Sequence, residues 1–453
     1  MLKKMFKKSY MQPADTTRRA IVLGGGGSKG AYQIGVWQAF QKLGISYHVV
    51  TGTSVGALNG ALMAQGEFES ALELWSNVDN SFVMNDIPSL DEKQADSVLD
   101  VYRAFVREIV RKGGVDVSPL ENAIRSLLNE DKLRQSGIQY GIVTVDMKSL
   151  KPVEIFAHQI PEGMIADYMV ASASCFPAFK PKEIGDKRYI DGGYHDVLPV
   201  ELALRALPKV DEVYAIDIDG IGIKRKTRAD VPVHIIRSYW ELGNMLIFEK
   251  SVARRNIRLG YLDTLKAFGK LDGRAYAFTR GQKAELEERF LGEVAQICLA
   301  IFDVLPKVGR AQIEKLMELR LTDTLTNRRS KNQDYKDMLL TSAELAGELL
   351  GLDPTIEYTV DSFNNQLRKA LERVQREDTP EEALERLKKL PITKLADGLK
   401  SVADGVLIQL CMEAMKQHVM GGESLFKPEL MAMAVPKQMV ASVYLLALGR
   451  EAL

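Results

Sequence analysis

A serine flanked by glycines stands where a β-type run passes into a helical run. Ser54 lies in the motif GTSVG (52–56), after the apolar run 45–51 and before a helical run that begins at Val55. This pattern is typical of a nucleophile elbow, a sharp strand-to-helix turn that exposes the serine hydroxyl. Gly52 and Gly56 remove Cβ atoms that would clash there. The N-terminus of the following helix would favour the oxyanion formed during acyl transfer.

A second motif, the glycine-rich segment Gly24–Gly30 (GGGGSKG), lies upstream of the serine. It follows the short apolar run 20–23 and leads into a helical pattern that begins at Ala31. Glycines at this density let several backbone N–H groups converge on one point, which suits an anion. The anion could be a phosphate or a tetrahedral oxyanion.

Two nucleotide-binding motifs, Walker A and GxGxxG, are the phosphate-binding interpretations of this glycine segment. A Walker A loop ends in Gly-Lys-Ser/Thr. Here Lys29 precedes Gly30 and Ala31 follows, so this segment is not a Walker A motif. The dinucleotide pattern GxGxxG does fit, yet it also requires an acidic residue about 20 positions later. The chain has no Asp or Glu between Asp15 and Glu67. Nucleotide binding therefore stays only as an alternative.

A third motif could supply the base that a serine nucleophile needs. Asp191 follows a β-type run and precedes Gly192 and Gly193, which places a carboxylate on a tight turn. A serine hydroxyl attacks only when a neighbouring group accepts its proton. His195 lies four residues later. A Ser-His-Asp triad would need its imidazole between serine and carboxylate, so a polar loop role is favoured for this histidine.

In these three motifs the chain resembles the patatin-like phospholipases. That family carries a glycine loop GGGx[RK]G, a GxSxG elbow and a later DG[AG] motif, which here are Gly25–Gly30, Gly52–Gly56 and Asp191–Gly193, in the family's order and spacing. The segment 171–179 (ASASCFPAF) is similar to the family's segment between elbow and aspartate. The resemblance covers residues 19–275.

The resemblance implies a role for each motif. Ser54 would be the nucleophile and Asp191 its base, in a dyad without histidine, while Gly25, Gly26 and Gly27 would supply oxyanion N–H groups. The residues expected to support these motifs are Lys29, Gly30, Gly52, Gly56, Gly192 and Gly193. Neither a metal nor a cofactor is expected, since the glycine loop would supply the electrophilic assistance.

Alternating β-type and helical runs predict an α/β fold, which the resemblance makes a patatin-like three-layer sandwich around a mostly parallel sheet. We divide the chain into a basic N-terminal tail (1–18), a catalytic domain (19–275) and an all-helical C-terminal region (276–453). Residues 239–269 are predicted to form one or two long helices that close the catalytic domain. The C-terminal apolar stripes are expected to be core, with a lid, a dimer surface or a regulatory module as alternatives.

The charge, the cysteine content and the apolar runs of the chain exclude several classes of function. Sixty basic and sixty acidic residues give no net charge, so no nucleic-acid partner is expected. Three widely spaced cysteines indicate neither a disulfide framework nor a zinc site. No apolar run reaches the length of a spanning helix, and the lysine-rich start lacks the apolar segment of a secretory signal. We therefore expect a cytoplasmic protein, and the basic tail leaves open a peripheral contact with the inner membrane surface.

The function expected from the sequence is hydrolysis of ester bonds in phospholipids or related acyl lipids, at a membrane or micelle surface. One alternative is an acyltransferase that uses the same dyad, and the other is a non-catalytic nucleotide-binding or regulatory module. Head group, chain length, positional selectivity, any activator and homo-oligomer formation are not determined by the sequence.

Overall fold

A computed structural model describes residues 16–83, 85, 107, 115–303, 335–377, 380–391, 394, 398–399, 401–420, 422 and 428–450. It divides into two compact units, Met1–Thr264 and Leu265–Leu453. The domain boundary predicted from the sequence, 275/276, lies slightly further along the chain. Several predicted segments fall outside the described residues: nearly all of the basic tail and of a helix at 97–112, a helix at 310–319, and a loop at 327–332.

The first unit is built on an eight-stranded sheet. Its strands are β1 (Arg19–Leu23), β2 (Val49–Thr53), β3 (Gln139–Asp146), β4 (Pro152–Phe156), β5 (Lys182–Ile184), β6 (Lys187–Asp191), β7 (Glu212–Ile216) and β8 (Val233–Ile236). Its helices are α1 (Ala31–Leu43), α2 (Val55–Gln65), α3 (Phe68–Asn77), α4 (Asn80–Val83), α5 (Ser118–Leu127), α6 (Glu130–Gln135), α7 (Ile165–Ser172), α8 (Val200–Leu204) and α9 (Lys250–Ala267), the last of which runs past Thr264.

The strand order is β5-β6-β3-β2-β1-β7-β8, with β4 paired to β3. Strands β3, β2, β1, β7 and β8 are parallel, whereas β4 and β6 run antiparallel to β3. Every residue of β1 and β2 is buried, as expected for parallel strands covered on both faces. The predicted α/β class with a mostly parallel sheet is confirmed.

Two apolar clusters pack on the opposite faces of this sheet. One joins Tyr140 and Ile142 of β3 to α2, α5 and α7. The other joins Val143, the next residue of β3, to α8 and to alternate residues of β1 and β7. Since successive strand residues point to opposite faces, the two clusters form a helix–sheet–helix sandwich.

The second unit is mostly helical. Its helices are α10 (Gln282–Asp303), α11 (Tyr335–Leu349), α12 (Val360–Glu377), α13 (Pro380–Lys388), α14 (Asp404–Val419), α15 (Pro428–Ala434) and α16 (Pro436–Arg450). Tyr444 of α16 is fully buried and donates a hydrogen bond to Asn364 of α12 over 2.7 Å. Met415 and Met431 are buried as well, which agrees with a core role for these two methionines.

Two features of the chain differ from the sequence-based prediction. The C-terminal region is not purely helical, because β9 (Leu271–Asp272), β10 (Ala277–Thr279) and β11 (Glu357–Tyr358) form a small sheet. Strands of two or three residues are too short to produce an alternating pattern. The predicted helix over 239–249 is also wrong, since this segment consists of turns and irregular backbone, and α9 begins at Lys250. Gly243, at φ 88°, breaks the helical backbone there.

Candidate active site

The turn between β2 and α2 holds Ser54 in a strained backbone conformation. Its φ of 56° and ψ of −126° are unusual for a residue with a side chain and cost about 1–3 kcal/mol. A Cβ atom on Gly52 would clash with the carbonyl oxygen of Gly56, and one on Gly56 would clash with the carbonyl oxygen of Leu23. The two glycines are therefore required by close backbone approach, as the elbow motif predicts.

The register of β3 brings Asp191 to this turn. Thr53, the residue before Ser54, pairs with Val143, and Asp191 pairs with Thr144, the next residue of β3. Both the nucleophile candidate and the carboxylate consequently leave the sheet beside the same two residues. Gly192 fits against the carbonyl oxygen of Val143, where a Cβ atom would clash.

The carboxylate of Asp191 is buried, and this burial raises its pKa to about 6. The Gly193 N–H donates a hydrogen bond to this carboxylate at 2.7 Å, and this bond and the nearby Ser54 side chain oppose the rise in pKa. A carboxylate with this pKa is a stronger base than an exposed aspartate and is still deprotonated at neutral pH. Asp191 is therefore suited to accept a proton from a neighbouring hydroxyl.

Ser172, at the end of α7, holds the backbone of the elbow. Its hydroxyl accepts a hydrogen bond from the Ser54 N–H at 2.9 Å and donates one to the carbonyl oxygen of Val143 at 2.6 Å. The side chain is completely buried. In the sequence, only the position of Ser172 in the segment 171–179 pointed to the site.

The glycine loop lies against the elbow, but its three glycines are not equivalent. Gly25 donates its N–H to the carbonyl oxygen of Val197 at 2.9 Å, so it is already engaged, contrary to its expected role as an oxyanion donor. Within the described part of the chain, the N–H groups of Gly26 and Gly27 have no backbone acceptor. Gly27 also needs its φ of 55°, and a Cβ atom there would clash with the carbonyl oxygen of Met245.

A loop that the sequence analysis assigned to a helix anchors this glycine segment. Ser28 donates its N–H to the carbonyl oxygen of Met245 at 2.9 Å and its hydroxyl to that of Asn244 at 2.6 Å. No motif in 239–249 indicated this contact. The loop replaces part of the predicted helix because these two carbonyl oxygens must face the glycine segment.

The remaining predicted residues support the loop or lie apart from it. Lys29 donates to the carbonyl oxygen of Asp219 at 3.0 Å and does not line the cavity, and partial burial lowers its pKa. A Cβ atom on Gly30 would clash with Val55 and Trp75. His195 contacts Arg225 at 3.0 Å and is absent from the cavity wall, consistent with a polar loop role.

Ser54, Asp191 and the three loop glycines open onto one cavity of about 290 Å³. Its remaining wall is largely apolar and comes from α2 to α5, α7 and the loops around Pro177, Ile221 and Met245. In the described part of the chain, no cluster of His, Cys, Asp and Glu could hold a metal ion. No described helix has the length and apolar character needed to cross a bilayer.

Part of this chain is similar to known proteins. Residues 21–204 match the family model described as patatin-like phospholipase. Patatin-like phospholipase domain-containing protein 7 of Rattus norvegicus is 27% identical over 207 residues, which is 44% of this chain and 13% of that protein. Patatin-like phospholipase domain-containing protein 6 of Homo sapiens is 24% identical over 367 residues, or 76% of this chain and 24% of that protein.

Two further matches complete the comparison. Lysophospholipase NTE1 of Saccharomyces cerevisiae is 24% identical over 255 residues, 55% of this chain and 14% of that protein. The alignments thus span between 13% and 24% of the length of these relatives. The crystal structure of VipD from Legionella pneumophila covers 94% of this chain and 91% of its own, with 14% identity and a TM-score of 0.33.

The two hydrogen bonds of Ser172 lead to a prediction about the reactivity of Ser54. Replacing Ser172 with Ala leaves the Ser54 N–H without its partner, and a loss of about 1–3 kcal/mol corresponds to a decrease in reactivity of about 5-fold to 150-fold. We expect Ser172→Ala to lower the rate of Ser54 modification by a fluorophosphonate by about this factor, as measured by mass spectrometry. Ser174→Ala is the control, because that buried hydroxyl donates only to Val170. Equal rates in the two variants would contradict the positioning role.

Proposed function

We propose that the chain is a serine acyl hydrolase that cleaves ester bonds of lipids, because residues 21–204 match the patatin-like phospholipase family model. One observation carries the proposal: Ser54, the buried carboxylate of Asp191, and Gly26 and Gly27 all line the same largely apolar cavity. Nucleophile, base and oxyanion donors are the parts that acyl transfer requires.

In the proposed reaction the Ser54 oxygen attacks the ester carbonyl carbon while Asp191 accepts the hydroxyl proton. The negative charge that develops on the carbonyl oxygen is stabilised by the N–H groups of Gly26 and Gly27. The tetrahedral intermediate then breaks its bond to the leaving alcohol, which receives the proton from Asp191. Water attacks the acyl-enzyme by the same steps, releases the fatty acid and returns the proton to Ser54.

Removing either member of the dyad should abolish turnover. We expect Ser54→Ala and Asp191→Asn to lower kcat for a short chromogenic ester by about 10⁴-fold, as loss of a triad member does in serine proteases. The release of free fatty acid is measured by mass spectrometry, with an added alcohol as a competing acyl acceptor. Transfer of most acyl groups to the alcohol would instead indicate an acyltransferase, and full activity of Ser54→Ala would rule out the dyad.

The raised pKa of Asp191 gives a pH dependence with a defined sign. As a base the carboxylate must be deprotonated, so kcat/KM should rise with pH through a midpoint near 6 and level off above it. The matched control is Asp196→Asn, since burial also raises the pKa of Asp196 to about 6, although this residue does not line the cavity. The rise of kcat/KM with pH should persist in Asp196→Asn. A wild-type profile that is flat between pH 5 and 7 would contradict the assignment of Asp191 as the base.

Exposed apolar side chains around the cavity mouth support contact with a lipid surface. Phe176, Tyr194 and Ile221 line the cavity and are at least 38% exposed, and the neighbouring Ile223 is 55% exposed. The backbone N–H of Ile223 donates to the carbonyl oxygen of Gly193 at 2.9 Å, which fixes this rim two residues from Asp191. We propose that these four residues, the mouth rim, insert at the boundary of a bilayer or micelle, where exposed apolar patches find partners.

A charge at the mouth rim should separate lipid-surface activity from activity on dissolved esters. Burying one isoleucine contributes about 1.5–3 kcal/mol, so Ile223→Asp should lower hydrolysis of vesicle phospholipid by about tenfold more than that of a dissolved butyrate ester. Leu207→Asp is the control, because Leu207 is 75% exposed and lies outside the cavity wall. The two rates, compared with vesicle co-sedimentation, are the readout. A parallel decrease of both rates would mean that the rim does not contact lipid.

A further inference from the structure

One face of α2 lines the cavity along the whole length of the helix. Val55, Leu58, Leu62 and Gln65 all contribute to the wall, and they follow Ser54 directly in the chain. At about 1.5 Å per residue, Leu58 lies about 6 Å from Ser54 along the helix axis, Leu62 about 12 Å and Gln65 about 16 Å. The cavity therefore extends away from the nucleophile as a channel beside α2.

The opposite wall of this channel presents apolar surface. It comes from α3, α4 and α5 and includes Leu74, Phe82 and Ile124. Asn59 lies in the middle of the channel, and its amide groups are engaged in hydrogen bonds: it donates to the Gly30 carbonyl oxygen and to Gln33, and it accepts from the Trp75 indole at 2.9 Å. No polar group of Asn59 is thus left to bind water or a head group in the channel.

Gln65 is the α2 residue of the wall that lies farthest from Ser54, and its side chain is held on both sides. Its amide nitrogen donates to the carbonyl oxygen of Leu127, and its amide oxygen accepts from the N–H of Asn129. These bonds connect the last residue of α2 to the end of α5 and the start of α6. Gln65 is buried, so the wall there is a fixed polar group rather than a mobile surface side chain.

We propose that the channel binds one linear acyl chain parallel to α2 and that Gln65 limits the length of that chain. An extended chain advances about 1.3 Å per carbon, since its bonds of about 1.5 Å form a zigzag, so 16 Å accommodates about twelve carbons. A longer chain would place its terminal methyl group against a hydrogen-bonded amide. Burial of apolar carbon there adds no favourable free energy of binding. This inference rests on the proposed function, because it assumes that the ester carbonyl is held at Ser54.

The position of each wall residue along α2 then sets the length of acyl chain that fits between Ser54 and that residue. Each methylene buried in the channel should raise kcat/KM about threefold to fourfold, until the chain reaches Gln65. Filling the channel at Leu62 should stop this increase at about eight or nine carbons, and filling it at Leu58 at about four or five, from the same rise per residue. Two substitutions four residues apart should therefore give two different cut-offs.

The experiment measures kcat/KM for chromogenic esters of unbranched acids from four to eighteen carbons, below the concentrations at which they aggregate. Wild type is expected to peak near twelve carbons, Leu62→Trp near eight and Leu58→Trp near four. Leu207→Trp adds the same side chain at an exposed position outside the wall and should keep the wild-type profile. Thermal unfolding of each variant verifies that it is folded.

The outcomes separate this inference from the proposed function. If wild type hydrolyses butyrate in a Ser54-dependent manner but shows the same rise through eighteen carbons, the length limit is overturned while the hydrolase assignment stands. If folded Leu62→Trp keeps the wild-type optimum, the chain does not lie along α2. Should both tryptophan variants fail to fold, the wild-type profile alone still decides the limit. Absence of hydrolysis for every ester overturns both proposals.

Discussion

The site depends on how two strands end against the middle of β3. Thr53 pairs with Val143 and Asp191 pairs with Thr144, so the elbow and the carboxylate meet because two adjacent residues of one strand serve both. A slip of either pairing by one residue would turn every side chain of that strand to the other face of the sheet. The opposed apolar clusters around Ile142 and Val143 prevent such a slip, since each face of β3 has its own helix layer.

The strained conformation of Ser54 persists because surrounding contacts determine it from several directions. Ser172 binds its N–H from one side, while the Thr53 hydroxyl donates to the carbonyl oxygen of Asp196 at 2.8 Å and holds the end of β2 from the other. These bonds begin and end on buried groups, for which an unmade hydrogen bond costs about 1–3 kcal/mol. Relaxing the turn would therefore cost about as much as the strain that it releases.

A structural feature could be predicted from the sequence when the residues that determine it lie close together in the chain. Elements set by local patterns agree with the prediction: α2 begins at Val55, where a helical run was predicted, and β1 contains the apolar run 20–23. The segment 239–249 was mistaken for helix because its structure depends on Ser28, more than two hundred residues away. The engagement of Gly25 with Val197 was equally hidden, since a glycine motif shows which amides are near an anion but not which already have an acceptor.

Burial joins the chemistry of the carboxylate to the shape of the cavity. The apolar wall that could hold an acyl chain also removes water from Asp191, and this desolvation is the main cause of its raised pKa. A wall opened to admit more solvent would return Asp191 toward the pKa of an exposed aspartate, which accepts the proton of a serine hydroxyl less readily. The same water would also weaken the amides of Gly26 and Gly27 as oxyanion donors. In the proposed mechanism, binding of an acyl chain and activation of Ser54 thus depend on the same apolar wall, and a substrate that fills the channel would exclude water from the place where its own ester is attacked.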